Sequence, residues 1–180
     1  MDNRLNSKIY IIGSVASGKT TLARKLSNLL NIPWYELDEI VYLRLPNGDV
    51  KRTKEERDRI FNQVIYSDKW IIEGVYRECF KSGFVMADTI IFLNTPSYKR
   101  TYRILKRWIR QKLRLEGSGY APTIKMLLSM YKWSTGFEKT KNDIMKALEP
   151  YENEVVMLND TTDSSLEEKF RLSQLVKRRN

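Results

Sequence analysis

Lys8-Ile9-Tyr10-Ile11-Ile12-Gly13-Ser14-Val15-Ala16-Ser17-Gly18-Lys19-Thr20 is the stretch that decides the fold. Lys8 to Ile12 is a β-branched and aromatic run with the character of a buried strand. Gly13 to Thr20 has the phosphate-binding loop spacing G-x-x-x-x-G-K-[ST]. Beyond it, Leu22, Leu26, Leu29 and Leu30 recur at helical spacing with Lys and Arg between them. In a strand, glycine-bounded loop and helix, backbone N–H groups curl round a phosphate and the helix N-terminus points its partial positive charge at it. Lys19 then reaches the β- and γ-phosphates of a nucleotide, and the Thr20 hydroxyl serves Mg²⁺. Gly13, Ser14, Ala16, Ser17, Gly18 and Thr21 complete the expected cradle. A glycine turn that merely capped a helix would not require Lys and Thr directly after its second glycine.

Composition narrows the chemistry. The 180 residues suit one domain with a real core, and 42% hydrophobic with 11% aromatic content is that of a globular chain. Cys79 is the sole cysteine and there is no histidine. Those counts exclude an intramolecular disulfide, a Ser-His or Cys-His nucleophile pair and a zinc centre. Residues 1–14 lack the apolar core of a secretory signal and no apolar run is long enough to span a membrane, so a cytoplasmic protein with no membrane partner is expected. The net charge of +10 is concentrated: Ser97 to Leu115 holds eight Lys or Arg and no acid.

Five short apolar runs read as strands: Lys8 to Ile12, Trp34 to Leu37, Trp70 to Glu73, Thr89 to Leu93 and Glu154 to Leu158. Helical patterns alternate with them at Lys19 to Leu30, Lys54 to Tyr66, Ser97 to Leu115, Thr123 to Leu148 and Ser164 to Val176. Continuous apolar strands alternating with helices predict a doubly wound α/β domain, its five-stranded parallel sheet covered on both faces. Pro33, Asn47-Gly48-Asp49, Asn94-Thr95-Pro96 and Pro150 punctuate the elements, and Gly117 to Gly119 has the composition of a hinge or lid tip. The basic end, Lys177 to Asn180, reads as a solvated tail.

Three constellations accompany the loop. Glu73 closes the run WIIE, and in an open parallel sheet ligands sit beyond the strands' carboxyl ends, so its carboxylate either serves Mg²⁺ or caps the next turn. Asp38 follows the second strand, where it either takes the proton of an acceptor hydroxyl or caps a helix; Glu36 and Glu39 flank it, and spacing alone does not separate the three. Arg77 lies four residues after Glu73, within reach of an acceptor. Arg100, Arg103, Arg107, Arg110 and Arg114 form a stripe on one side of a helix, with Tyr102, Leu105, Trp108 and Ile109 broadly on the other. That stripe is a solvated face, a clamp on nucleotide phosphates, or a footprint on nucleic-acid backbone. Tyr120, Tyr131, Trp133 and Phe137 read as core or lid packing, and Cys79 as a small buried hydrophobe.

With these residues in view, the chain from about Lys8 to Lys177 resembles the adenylate-kinase-like P-loop kinases, and among them the bacterial DNA topology modulation, or FlaR-like, proteins. GSVASGKTTLARKL, IPWYELDEIVY, KWIIEG and ADTIIFLNTP with its arginine-rich helix carry the resemblance. It departs at Glu73-Gly74-Val75-Tyr76, where the FlaR-like pattern has Asp-Gly-Asn-Tyr. The resemblance implies a single P-loop kinase domain over 1–180, with an acceptor-binding region at about 38–68 and lid helices at about 97–148. It assigns Glu73 to the Mg²⁺ shell, Arg77 to the acceptor, and Arg103 and Arg107 to the lid over ATP; Asp38 resembles the acceptor-binding Asp of shikimate-kinase-like members.

The expected activity is ATP-dependent, Mg²⁺-assisted phosphoryl transfer to a small acceptor, with Lys19, Asp38, Arg103 and Arg107 catalytic, in a monomer or weak dimer. Nucleobase contacts are placed near Asn159 to Thr162. The rival is an ATP-binding, DNA-associated regulator using the arginine stripe, and a bare ATPase is the third possibility.

Overall fold

The computed structural model describes residues 7–45, 48–115, 122–151 and 154–160. Five strands, β1 (Lys8–Gly13), β2 (Trp34–Glu36), β5 (Trp70–Gly74), β6 (Thr89–Leu93) and β7 (Val155–Leu158), form one parallel sheet in the order β2-β5-β1-β6-β7. Their side chains alternate between two cores. Tyr10, Ile12, Trp70, Ile72, Ile90 and Phe92 face one; Ile9, Ile11, Ile71, Ile91 and Leu93 face the other. The second core is packed by Leu22, Ala23 and Leu26 of α1 (Lys19–Leu30). On the first lie α2 (Leu37–Val41), α3 (Lys54–Ile65), α4 (Ser82–Met86) and the far half of α6 (Ile124–Leu148). Layers on both faces make this the expected doubly wound α/β fold.

Thr53 and Glu56 exchange side chain-to-backbone hydrogen bonds at 3.2 Å, and this reciprocal cap starts α3. The 25-residue α6 starts where the Thr123 hydroxyl accepts from the Met126 N–H. Tyr42–Leu43 (β3) and Val50–Lys51 (β4) pair as a small antiparallel ladder, and Gly48 between them takes φ 120°; Asn47 of the expected turn lies outside the described residues.

Several expectations shift. The second strand stops at Glu36 because Leu37 turns into α2, where it is buried; Asp38 sits in the first turn of that helix and is not its cap. Cys79 is exposed, since the 3₁₀ turn Glu78–Phe80 spends its inward position on Phe80. Phe137 is core, whereas Tyr131 and Trp133 are half exposed. The helix Ser164 to Val176, the hinge at Gly117 to Gly119, Tyr120 and the tail at Lys177 to Asn180 lie outside the described residues.

The largest correction concerns α5 (Ser97–Lys112), which packs with its apolar side outward. Arg100, Ile104 and Gln111 are buried, while Tyr102, Leu105 and Ile109 are exposed. Arg100 is 1% exposed against α6, bonded to Ser134 Oγ, Ser134 O, Thr95 O and Glu138, with Phe137 beneath its guanidinium. Arg114 lies beyond the helix end with φ 55°. The five arginines therefore do not form one continuous surface stripe.

Candidate active site

The loop is shaped by contacts that exclude larger residues. A Cβ on Gly13 would come 2.8 Å from Leu93 O and 2.9 Å from Ser17 Oγ, and Gly18 opens α1 with φ 102°. Ser17 O is held from behind by Thr95 Oγ1 at 3.0 Å and by Arg103 Nη1 at 2.8 Å. The hydroxyls of Ser14 and Ser17 are buried without a partner among the described residues. Unsatisfied buried donors in a loop at a helix N-terminus fit an oxyanion ligand. Lys19 Nζ folds back onto Ser14 O at 2.8 Å, marking the place an anion would take. Burial draws the Lys19 ammonium below the usual lysine range, opposed chiefly by Glu73.

Thr20 Oγ1 donates to Glu73 Oε1 at 2.5 Å. Burial lifts the Glu73 carboxyl above the carboxylate range, opposed by the Lys19 charge and the Thr20 bond. A hydroxyl and a carboxylate side by side suit Mg²⁺, which keeps most of its waters and takes other oxygens from substrate phosphates. Among the described residues no cluster of three or more acidic, Cys or His side chains could hold a metal alone.

A cavity of about 1160 Å³ is lined by Ser14, Lys19, Thr20, Glu36, Asp38, Glu73 and Arg77, with Met130 and Phe137 of α6 also in its wall. Arg77 Nη2 donates to Asp38 Oδ1 at 2.8 Å, while its buried Nε has no partner among the described residues. Glu36 and Glu73 are cross-strand neighbours in the β2–β5 register. Burial, then the charges of Glu73, Glu39 and Asp38, push the Glu36 carboxyl up to about 7. Glu36 and Asp38 therefore both line the cavity, whereas Glu39 is exposed outside it. A carboxylate two places before Asp38 was visible in WYELDEI; the strand register that aims it was not.

The remaining predicted residues divide. Arg107 lines the cavity, its charge felt by Lys19, with Nη2 3.4 Å from Met130 Sδ. Arg103 does not line it: besides Ser17 O it binds Asp160 Oδ1 at 2.6 Å, and Asp160 also holds Lys99 at 2.6 Å. Thr21 is exposed and outside the lining. Of the stretch named for base contacts, Asn159 and Asp160 are described and residues 161 and 162 are not.

No family model matches the chain. A shikimate kinase of Aquifex aeolicus (strain VF5) is 51% identical over 37 residues, a match spanning 21% of this chain and 22% of that protein. Among solved structures, shikimate kinase from Acinetobacter baumannii in complex with shikimate superposes with a TM-score of 0.54 at 17% identity, covering 98% of this chain and 93% of that one. Shikimate kinase from Bacteroides thetaiotaomicron gives 0.50 at 17% identity, covering 94% and 97%. Likeness at that identity carries the architecture. The chain shares the fold of these two solved structures, a doubly wound five-stranded parallel sheet.

Proposed function

We propose that this protein is a kinase that moves the γ-phosphoryl group of ATP to a hydroxyl of a small polar acceptor, with Mg²⁺. One observation carries the reading: a single cavity is lined both by the phosphate-binding loop and by the Asp38–Arg77 pair. When bound, Mg²⁺ would supply charge neutralisation for the nucleotide phosphates. Thr20 and Glu73 are the residues to hold it.

The protein's own groups do the positioning. Lys19 exchanges the neutral Ser14 carbonyl for an anionic oxygen, which strengthens its hydrogen bond in a buried site. Arg107 adds a second cation beside it, where charge develops during transfer. Arg103 acts from behind, fixing the loop through Ser17 O. Asp38 receives the acceptor's hydroxyl proton, and the spare Nε of Arg77 donates to the acceptor. Residues 38–68 and the helices within 97–148 then form the acceptor side and cover of one domain. The motif order further likens the chain to FlaR-like proteins.

Three of the five stripe arginines speak against the DNA-binding alternative: Arg100 is buried, Arg103 is tied to Asp160, and Arg107 faces the cavity. The test is ADP release with a panel of nucleosides, nucleoside monophosphates and hydroxylated carboxylic acids, shikimate among them. One acceptor should stimulate turnover, and Asp38→Asn should lower kcat with that acceptor by about 10²-fold or more, with the KM for ATP unchanged. ATP consumption indifferent to every acceptor contradicts the reading, as does salt-sensitive duplex binding without any acceptor.

A further inference from the structure

We propose that the outward side of α5 docks on an anionic lipid surface. Tyr98, Tyr102, Leu105 and Ile109 recur at steps of four, three and four, which aligns them in one seam, and they are 43–69% exposed. Lys106 Nζ lies 5.8 Å from the Tyr102 ring centre and Lys112 Nζ 5.8 Å from that of Trp108, so the lysine stems run along aromatic surface. The surroundings share this character. Of the sixteen large apolar side chains exposed among the described residues, ten lie between Tyr98 and Trp133. From Ser97 to Trp133 the sequence has ten Lys or Arg and a single acid, Glu116. Isolated exposed apolar residues need no explanation; a concentration of them in a stretch with one acid against ten bases does.

Charge and polarity select the occupant. A second copy would set two basic, acid-free seams against each other, and like charges across an interface are repulsive. A phosphate backbone would leave the apolar centre of the seam without a partner, and Arg100, Arg103 and Arg107 are turned inward. An anionic bilayer satisfies both halves. Apolar and aromatic side chains enter the headgroup boundary, and lysines reach back to the lipid charges. No described helix is long and apolar enough to cross a membrane, so the contact is a surface one. The site stays on the other side of the same helix, where Arg103 and Arg107 meet the loop and the cavity.

The experiment is co-sedimentation of the full chain with phosphatidylcholine vesicles, with and without one-third phosphatidylglycerol. Binding to the anionic vesicles should be at least about tenfold stronger and should be lost in 1 M salt, where the screening length falls to about 3 Å. Leu105→Ser with Ile109→Ser should lower it at least about tenfold at unchanged ADP release, and Tyr66→Ser, on an exposed residue of α3's C-terminal cap, should not. If a melting curve shows the seam variant unfolded, Tyr98→Ser with Tyr102→Ser replaces it. Equal binding to both vesicles, binding to neither, or a folded seam variant that binds like the original protein overturns the proposal. So does a stable dimer or a duplex DNA complex that the seam substitutions dissolve.

Discussion

The hydroxyl of Thr20 donates to Glu73 Oε1 across 2.5 Å, joining the first turn of α1 to the end of β5. Glu73→Gln keeps an acceptor oxygen at that place and removes the charge. Burying an amide costs less than burying a carboxylate, so the fold should persist. The Mg²⁺ concentration for half-maximal turnover should rise about 10–100-fold, read by metal titration of ADP release. An unchanged Mg²⁺ requirement would remove Glu73 from the metal's surroundings.

Glu36 provides a pH signature. Its carboxyl is raised to about 7 in the fold by burial and by Glu73, Glu39 and Asp38. Between the ordinary carboxylate value and 7, the folded state holds a proton that the unfolded chain has released. Its contribution to stability is therefore full below the unfolded value, lost as pH rises through 7, and flat above. Solvent screening at this half-buried position limits the effect to about 1 kcal/mol. Urea midpoints from pH 5 to 8 should fall less steeply in Glu36→Gln than in the unsubstituted protein. Parallel profiles would contradict the assignment.

Arg100 locks the start of α5 to α6. Replacement by Met removes the donors to the Thr95 carbonyl and the Ser134 hydroxyl in a buried site and releases half-exposed Glu138 to solvent. The loss should be about 3 kcal/mol, or roughly 6–12 °C in Tm for a chain of this size. A shift below 2 °C in a calorimetric scan would show that the interface holds without it.

Strands Lys8 to Gly13 and Thr89 to Leu93 were legible because apolar residues run through both faces of a buried parallel strand. The loop was legible because its glycines, Lys19 and Thr20 are fixed by local geometry. Leu37–Val41, the Tyr42–Lys51 ladder and Ser82–Met86 were not, being too short to show a period. Periodicity located both sides of α5 but could not say which turned inward. Arg100 decides that through partners 34 and 38 residues away. Glu36 stands beside Asp38 and Glu39 in the sequence, but spacing could not separate the three, because what places Glu36 in the cavity is its register with Glu73, a property of strand pairing. Cys79 deceived because free cysteine is usually buried, whereas here the neighbouring Phe80 takes the inward position.

The central claim is that the backbone of residues 13–20, with the Lys19 ammonium, holds the triphosphate being cleaved. The most direct measurement is ADP release, with the stimulating acceptor present, by the unsubstituted protein and by Lys19→Ala of matched melting temperature. Turnover should fall by about 10²–10³-fold or more, since one preorganised cation contributes on that scale where charge develops. A folded Lys19→Ala protein that transfers phosphoryl at an undiminished rate would contradict the account.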